Sequence, residues 1–137
     1  MIQMTINKFY HFKDDSNDFH QLYIIEKPKN HILYIGISKI GIWNRWFGNS
    51  GRMRKNIENK FYSTDSISEK IIENMPESMN WIIKLYTIQD CILELKDELY
   101  QKYKHKDFNK FIIINDIEGM EQLFIKKLHP ELNVMLN

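Results

Sequence analysis

A small mixed α/β (α+β) fold, with a mainly antiparallel sheet of three or four strands flanked by helices, is predicted by three features of these 137 residues. Residues 21–26 and 32–37 are rich in β-branched and aromatic side chains and are separated by turn chemistry. Residues 117–128 repeat apolar side chains at helical spacing and stop before Pro130. A hydrophobic content of 43%, with 13% aromatic, supplies a core for one domain, 1–137, rather than two.

Residues 1–20 are ambiguous: Phe9, Tyr10 and Phe12 can cover a core edge, while the acidic run 14–18 reads as a loop. Between the first two strands, Lys27-Pro28-Lys29-Asn30-His31 favours a tight turn and hence an antiparallel hairpin. That hairpin brings Tyr23 and Tyr34 into neighbouring strands, but spacing alone does not tell whether they share a face. Ile42, Trp43, Trp46 and Phe47 occupy one side of a helical wheel and open a short amphipathic helix, which the run 48–51 should interrupt. Residues 52–60 are basic and in part helical. Ser66 and Glu69 fit a capping box for a helix ending before Pro76. A third strand is expected over 81–88, and the clearest helix over 89–104, with Ile92, Leu95, Leu99 and Tyr103 at core spacing. A fourth short strand fits 111–115.

Composition narrows the function only loosely. The formal charge is +1, so the net charge does not mark a nucleic-acid binder, and its distribution matters more. A single cysteine, Cys91, excludes an internal disulfide framework and suits a reducing compartment. No apolar run approaches the roughly 20 residues a membrane span needs, and the first five residues lack signal-peptide character. A soluble, cytoplasmic protein without membrane association is the expectation.

Glu121 stands out on the last helix. Projected at about 100° per residue, it falls inside the apolar arc of Ile117, Met120, Leu123, Phe124, Ile125 and Leu128. An unpaired carboxylate there would cost several kcal/mol, so it needs an arginine, a hydrogen-bond network or a cation. A structural salt bridge, or a position at the arc's edge reaching water, would satisfy it equally. Arg45, between two tryptophans, can stack on Trp43 or Trp46, or clamp a phosphate. Arg52, Arg54, Lys55 and Lys60, with Lys39 and Arg45, concentrate positive charge between residues 39 and 60. This is either a solvated face or a track for a phosphate backbone.

Taken in order, these residues form a series. Tyr34-Ile35-Gly36 has Tyr23 eleven residues upstream and Arg45 eleven downstream, and Glu121 is followed by Pro130 and Asn133 after nine and twelve residues. The series resembles the GIY-YIG nuclease family, over most of the chain. The resemblance implies a GIY-YIG-like fold and a metal-dependent endonuclease acting on DNA, with RNA not excluded. By that likeness Glu121 holds Mg²⁺ or Mn²⁺, Arg45 grips the scissile phosphate, Tyr23 serves as general base and Tyr34 supports it. A tyrosine base requires its pKa to fall from about 10 to near 7, equivalent to roughly 4 kcal/mol, which one nearby cation can supply. Gly36, Lys39, Asn49, Arg52, Arg54, Lys55 and Asn133 are the expected substrate-binding residues.

The chain also departs from the family pattern. Its first motif reads Gln21-Leu22-Tyr23, Ile37 stands where several members carry lysine, and Asn49 stands where tyrosine or histidine is frequent. Either 89–115 or 81–88 is an addition to the family's order of elements. Two alternatives therefore accompany the nuclease reading. One is a catalytically lapsed nucleic-acid-binding module on the same fold. The other is a protein-interaction domain anchored by Trp43 and Trp46. The cognate DNA and the oligomeric state are not encoded in any visible pattern.

Overall fold

The two strands flanking the Lys27–His31 turn pair as their composition predicts, and the rest of the sheet is built onto them. The structure, a computed structural model, describes residues 1–12, 20–39, 41–47, 66–103 and 117–133. Four strands, β1 (Ile2–Thr5), β2 (Leu22–Lys27), β3 (His31–Ile37) and β4 (Ile82–Tyr86), form one antiparallel sheet in the order β1-β4-β2-β3. The helices are α1 (Ile6–Tyr10), α2 (Ile42–Phe47), α3 (Ser66–Glu73), α4 (Ile88–Glu94), α5 (Lys96–Tyr103) and α6 (Ile117–Leu128), with a 3₁₀ turn at Glu77–Asn80. An antiparallel sheet with segregated helices is an α+β arrangement. No helix among the described residues is long and apolar enough to cross a membrane.

One ambiguity is resolved and two expectations are corrected. The ambiguous N-terminus supplies the strand β1 and the helix α1, whose first turn is capped by Thr5 accepting from the Lys8 amide at 3.1 Å. The third strand ends at Tyr86 because Thr87 starts a helix. Its Oγ1 accepts from the Asp90 amide at 3.1 Å, and the Asp90 carboxylate accepts from the Thr87 amide at 2.9 Å. That reciprocal pair satisfies donors a helix start leaves open. The helix expected over 89–104 is broken at Leu95 into α4 and α5, yet Cys91, Leu95 and Leu99 all remain buried. The expected loop 14–18, the run 48–60 and the strand 111–115 lie outside the described residues, as do the side chains of Ser66 and Tyr103.

The sheet buries both faces. Tyr23, Ile25, Leu33, Ile83 and Leu85 pack with Phe9, Trp46, Phe47, Ile71 and Trp81 on one side. Leu22, Ile24, Ile35 and Tyr86 pack with Cys91, Leu99, Met120, Phe124 and Ile125 on the other. Burial on both faces explains why β2 reads as a nearly continuous apolar run, Leu22-Tyr23-Ile24-Ile25, instead of alternating.

The outer strand β3 has its free edge covered. After α6, His129 takes a left-handed conformation (φ 50°), and Pro130 directs the chain back. The Glu131 amide then donates to the Ile32 carbonyl at 3.2 Å and the Leu132 amide to the Leu33 carbonyl at 2.9 Å. Unpaired strand edges attract other strands, and this return segment occupies one.

Candidate functional site

The site begins with an irregularity in the hairpin. From the turn, Lys27 pairs with His31 and Glu26 with Ile32, but Ile25 pairs with Tyr34 and Tyr23 with Gly36. Leu33 is therefore an extra residue, a β-bulge. Had the register from the turn continued, Ile24 would oppose Tyr34 and the two tyrosines would point to opposite faces. A one-residue shift reverses the facing of every later side chain. The bulge thus turns Tyr34 to the face of Tyr23, and their ring centroids lie 6.0 Å apart at a 39° tilt.

Gly36 is explained by the same geometry. A Cβ at this position would lie 2.4 Å from both Cζ and the hydroxyl oxygen of Tyr23, nearer than atoms can approach. Tyr23 thus lies across β3, with its hydroxyl end over the glycine of the outermost strand. On its other side Trp46 meets the Tyr23 ring edge-on at 5.1 Å. Trp46 belongs to α2, which is held against α1 by Phe9–Phe47 and Phe9–Trp46 ring contacts and by Trp43 Nε1 donating to the Phe9 carbonyl at 3.0 Å. Neither Trp43 nor Trp46 is an exposed anchor. Trp46 is buried and Trp43 half-buried in this aromatic cluster.

The loop from β3 to α2 is similarly fixed. The Ser38 amide donates to the Gln21 carbonyl at 2.9 Å, and its hydroxyl donates to the Gly41 carbonyl at 3.1 Å. Gly41 has φ 97°, a conformation open to glycine and strained for other residues. The Gly41 carbonyl also accepts the first helical bond of α2, from the Arg45 amide at 3.1 Å. Arg45, next to the buried Trp46, is exposed.

Glu121 arrives from the opposite side. Its helix α6 packs on β3 through Ile117, Met120, Phe124 and Ile125, all buried. Glu121 itself is half-buried, at the margin of that apolar arc. Burial raises its carboxyl pKa above the usual range and the neighbouring Glu118 charge raises it further, while Arg45 pulls it down. The Arg45 charge thus acts on Glu121, although the two residues stand on elements packed against opposite faces of the sheet. Among the described residues no three His, Cys, Asp or Glu side chains gather as a ready-made metal cage. A cation beside Glu121 would offset the burial and the Glu118 charge, which both disfavour its ionised form. Oxygen donors are the preferred ligands of Mg²⁺, which keeps several waters.

The remaining expected residues divide. Lys39 is exposed and forms an ion pair with Glu118 at 3.3 Å. Asn133 is bonded to β3: the Ile35 amide donates to its Oδ1 at 2.9 Å, and its Nδ2 donates to the Ile35 carbonyl at 2.9 Å. It therefore braces the strand that carries Tyr34 and Gly36. Asn49, Arg52, Arg54 and Lys55 lie outside the described residues. Sequence reading missed Glu118, whose weight comes from Lys39 and Glu121 together, and Ser38, whose only signal was its place between Gly36 and Gly41. A groove of about 660 Å³ between α5 and α6 is lined by Asp97, Glu98, Lys102, Gly119 and Lys126 among others. None of Tyr23, Tyr34, Arg45 and Glu121 lines it.

Compared with models of known families, with curated proteins and with solved structures, the chain gave no match.

Proposed function

We propose that this chain is a GIY-YIG-type, metal-dependent endonuclease that hydrolyses DNA phosphodiester bonds. The observation that carries the reading is the Tyr23–Tyr34 pair on one face of the sheet, closed over Gly36 and met by Trp46 from the helix that bears Arg45, whose charge also acts on Glu121.

In this reading Arg45, exposed at the rim, offers a planar, two-pronged grip to a phosphate and offsets the charge that grows on its oxygens in the transition state. Tyr23 takes the proton of the attacking water, and Tyr34 beside it holds that water's orientation. Gly36 leaves the space through which the Tyr23 hydroxyl reaches the reaction. Glu121 holds Mg²⁺ or Mn²⁺, which supplies Lewis-acid polarisation of the phosphate when bound. The basic residues 52, 54 and 55 would follow the DNA backbone and contribute affinity without sequence discrimination. A cytoplasmic location suits this activity and the single buried thiol, Cys91, whose pKa burial pushes up to about 12.

A second reading, a lapsed nucleic-acid-binding module, is favoured by Ile37. This residue packs against the aliphatic cluster and puts no charge where several relatives of the resembled family have a lysine. Incubation with supercoiled, linear and branched DNA, with and without Mg²⁺ or Mn²⁺, separates the two. Metal-dependent nicking that Glu121→Ala abolishes, with DNA binding kept within a few-fold, supports the nuclease. Salt-sensitive binding with no cleavage under any metal supports the lapsed module.

A further inference from the structure

The loop after β3 and the helix α6 are joined by an exposed ion pair. Lys39, on the loop that leaves β3, pairs with Glu118 at 3.3 Å. Glu118 and Glu121 are three residues apart on α6, a spacing that places side chains on one helix face. Glu121 in turn feels both Glu118 and Arg45. Without a metal the group is formally neutral, and the Glu118 carboxylate occupies the Lys39 ammonium as a phosphate oxygen would.

We infer that Glu118 is a positioning residue that makes phosphate binding at this site conditional on a divalent cation. The identity of the anion, a DNA phosphate, rests on the nuclease reading above. In the metal-free protein Glu118 competes for Lys39 and cancels the positive field of the rim. A divalent cation taken up at Glu121 is held partly by the Glu118 charge, and that carboxylate is then drawn from Lys39 toward the cation. Lys39 is released to the DNA backbone in the state that is able to cut, and masked in the state that is not. Both partners are about two-thirds exposed, at 68% and 66%, so the exchange needs no unfolding of the core.

The test compares the parent with Glu118→Gln, Lys39→Gln and the double variant. A labelled duplex is titrated by fluorescence anisotropy in EDTA and in Ca²⁺, Mn²⁺ uptake is read by electron paramagnetic resonance, and melting is followed for each protein. Releasing an exposed ion pair should tighten EDTA binding by Glu118→Gln about two- to five-fold. The salt dependence in EDTA should steepen by about 0.9 log-log units, one phosphate contact. In Ca²⁺ the same variant should bind DNA no more tightly than the parent and should take up Mn²⁺ more weakly, with parent-like melting. In the Lys39→Gln background the gain in EDTA should vanish.

Tightening by one common factor in EDTA and Ca²⁺, or a gain that survives Lys39→Gln, would reduce Glu118 to generic surface charge and overturn the inference. So would unchanged Mn²⁺ uptake. In each of those cases a parent that binds DNA more tightly with metal, and loses Mn²⁺ in Glu121→Ala, leaves the nuclease reading standing. A parent that takes up neither DNA nor Mn²⁺ removes that reading and this inference together.

Discussion

The two faces of the sheet are packed on different terms. One face joins Tyr23 and Tyr34 to Phe9, Trp46 and Phe47, and its contacts are ring against ring at 5.1–6.0 Å. The other joins Leu22, Ile24 and Ile35 to Met120, Phe124 and Ile125, mostly aliphatic side chains. Aliphatic cores tolerate volume-conserving exchange, whereas rings hold preferred edge-to-face geometries. Gly36 tightens that constraint, because the ring above it admits no Cβ. The aromatic face is therefore the one able to hold a hydroxyl at a defined place. The aliphatic face seats α6, the helix that carries the half-buried Glu121. Precision belongs to one face and anchorage to the other.

The largest expected effect tests the aromatic face. Tyr23→Phe keeps the ring on Trp46 and over Gly36, so melting should hardly move while cleavage falls about 10²–10⁴-fold, the usual contribution of a positioned acid or base. Unchanged cleavage, with melting lowered, would mean that Tyr23 only packs. Next comes the aliphatic face. Phe124 is fully buried against Tyr86, with ring centroids 5.4 Å apart. Phe124→Ala should cost about 3–5 kcal/mol in urea unfolding, whereas Phe124→Leu should cost much less and keep activity. Equal damage to activity by the leucine variant would show that this face, too, is geometrically exacting.

Gly36→Ala sharpens the contrast within the aromatic face. The added methyl has to displace the Tyr23 ring, at about 1–3 kcal/mol for overpacking. Tyr23→Ala removes the obstacle, so the double variant should be more stable than the two single losses would sum to. Strict additivity would mean that Gly36 is required for something other than Tyr23.

The smallest effect concerns Glu121. Its folded pKa is raised, chiefly by burial and then by Glu118. The folded protein therefore holds this proton more tightly than the unfolded chain does, and stability falls as pH rises through the folded value. In metal-free buffer at neutral pH, Glu121→Gln should be slightly more stable than the parent. The difference should close as pH drops below the ordinary carboxylate range. A variant less stable than the parent at neutral pH would indicate that Arg45 outweighs burial.

Several elements were legible from residues alone because local periodicity is strong where an element is long or amphipathic. The hairpin over 22–37, the helix Ile117–Leu128 with its stop before Pro130, and the short helix carrying Trp46 all stand close to their expected bounds. The capping box at Thr87 was also readable, as a threonine three residues before an aspartate. The expected strand followed the apolar run on through Ile88 instead. By contrast β1 is four residues long, and its strand character comes from pairing with β4 more than 75 residues away. No local pattern signals such a partner.

What the sequence by itself determined is the class of fold, the hairpin with its two tyrosines, and a last helix whose apolar arc includes a glutamate. Those properties follow from side-chain spacing, and spacing is local. The tertiary structure decided whether the tyrosines share a face, what Gly36 makes room for, where Asn133 spends its amide, and that Lys39 and Glu121 both answer to Glu118. Each of these depends on register or on packing between distant segments. A single extra residue at Leu33 reverses which face Tyr34 occupies. Such a bulge arises from how β3 meets its partner strand and the returning chain at 131–133, contacts that the sequence around it does not contain.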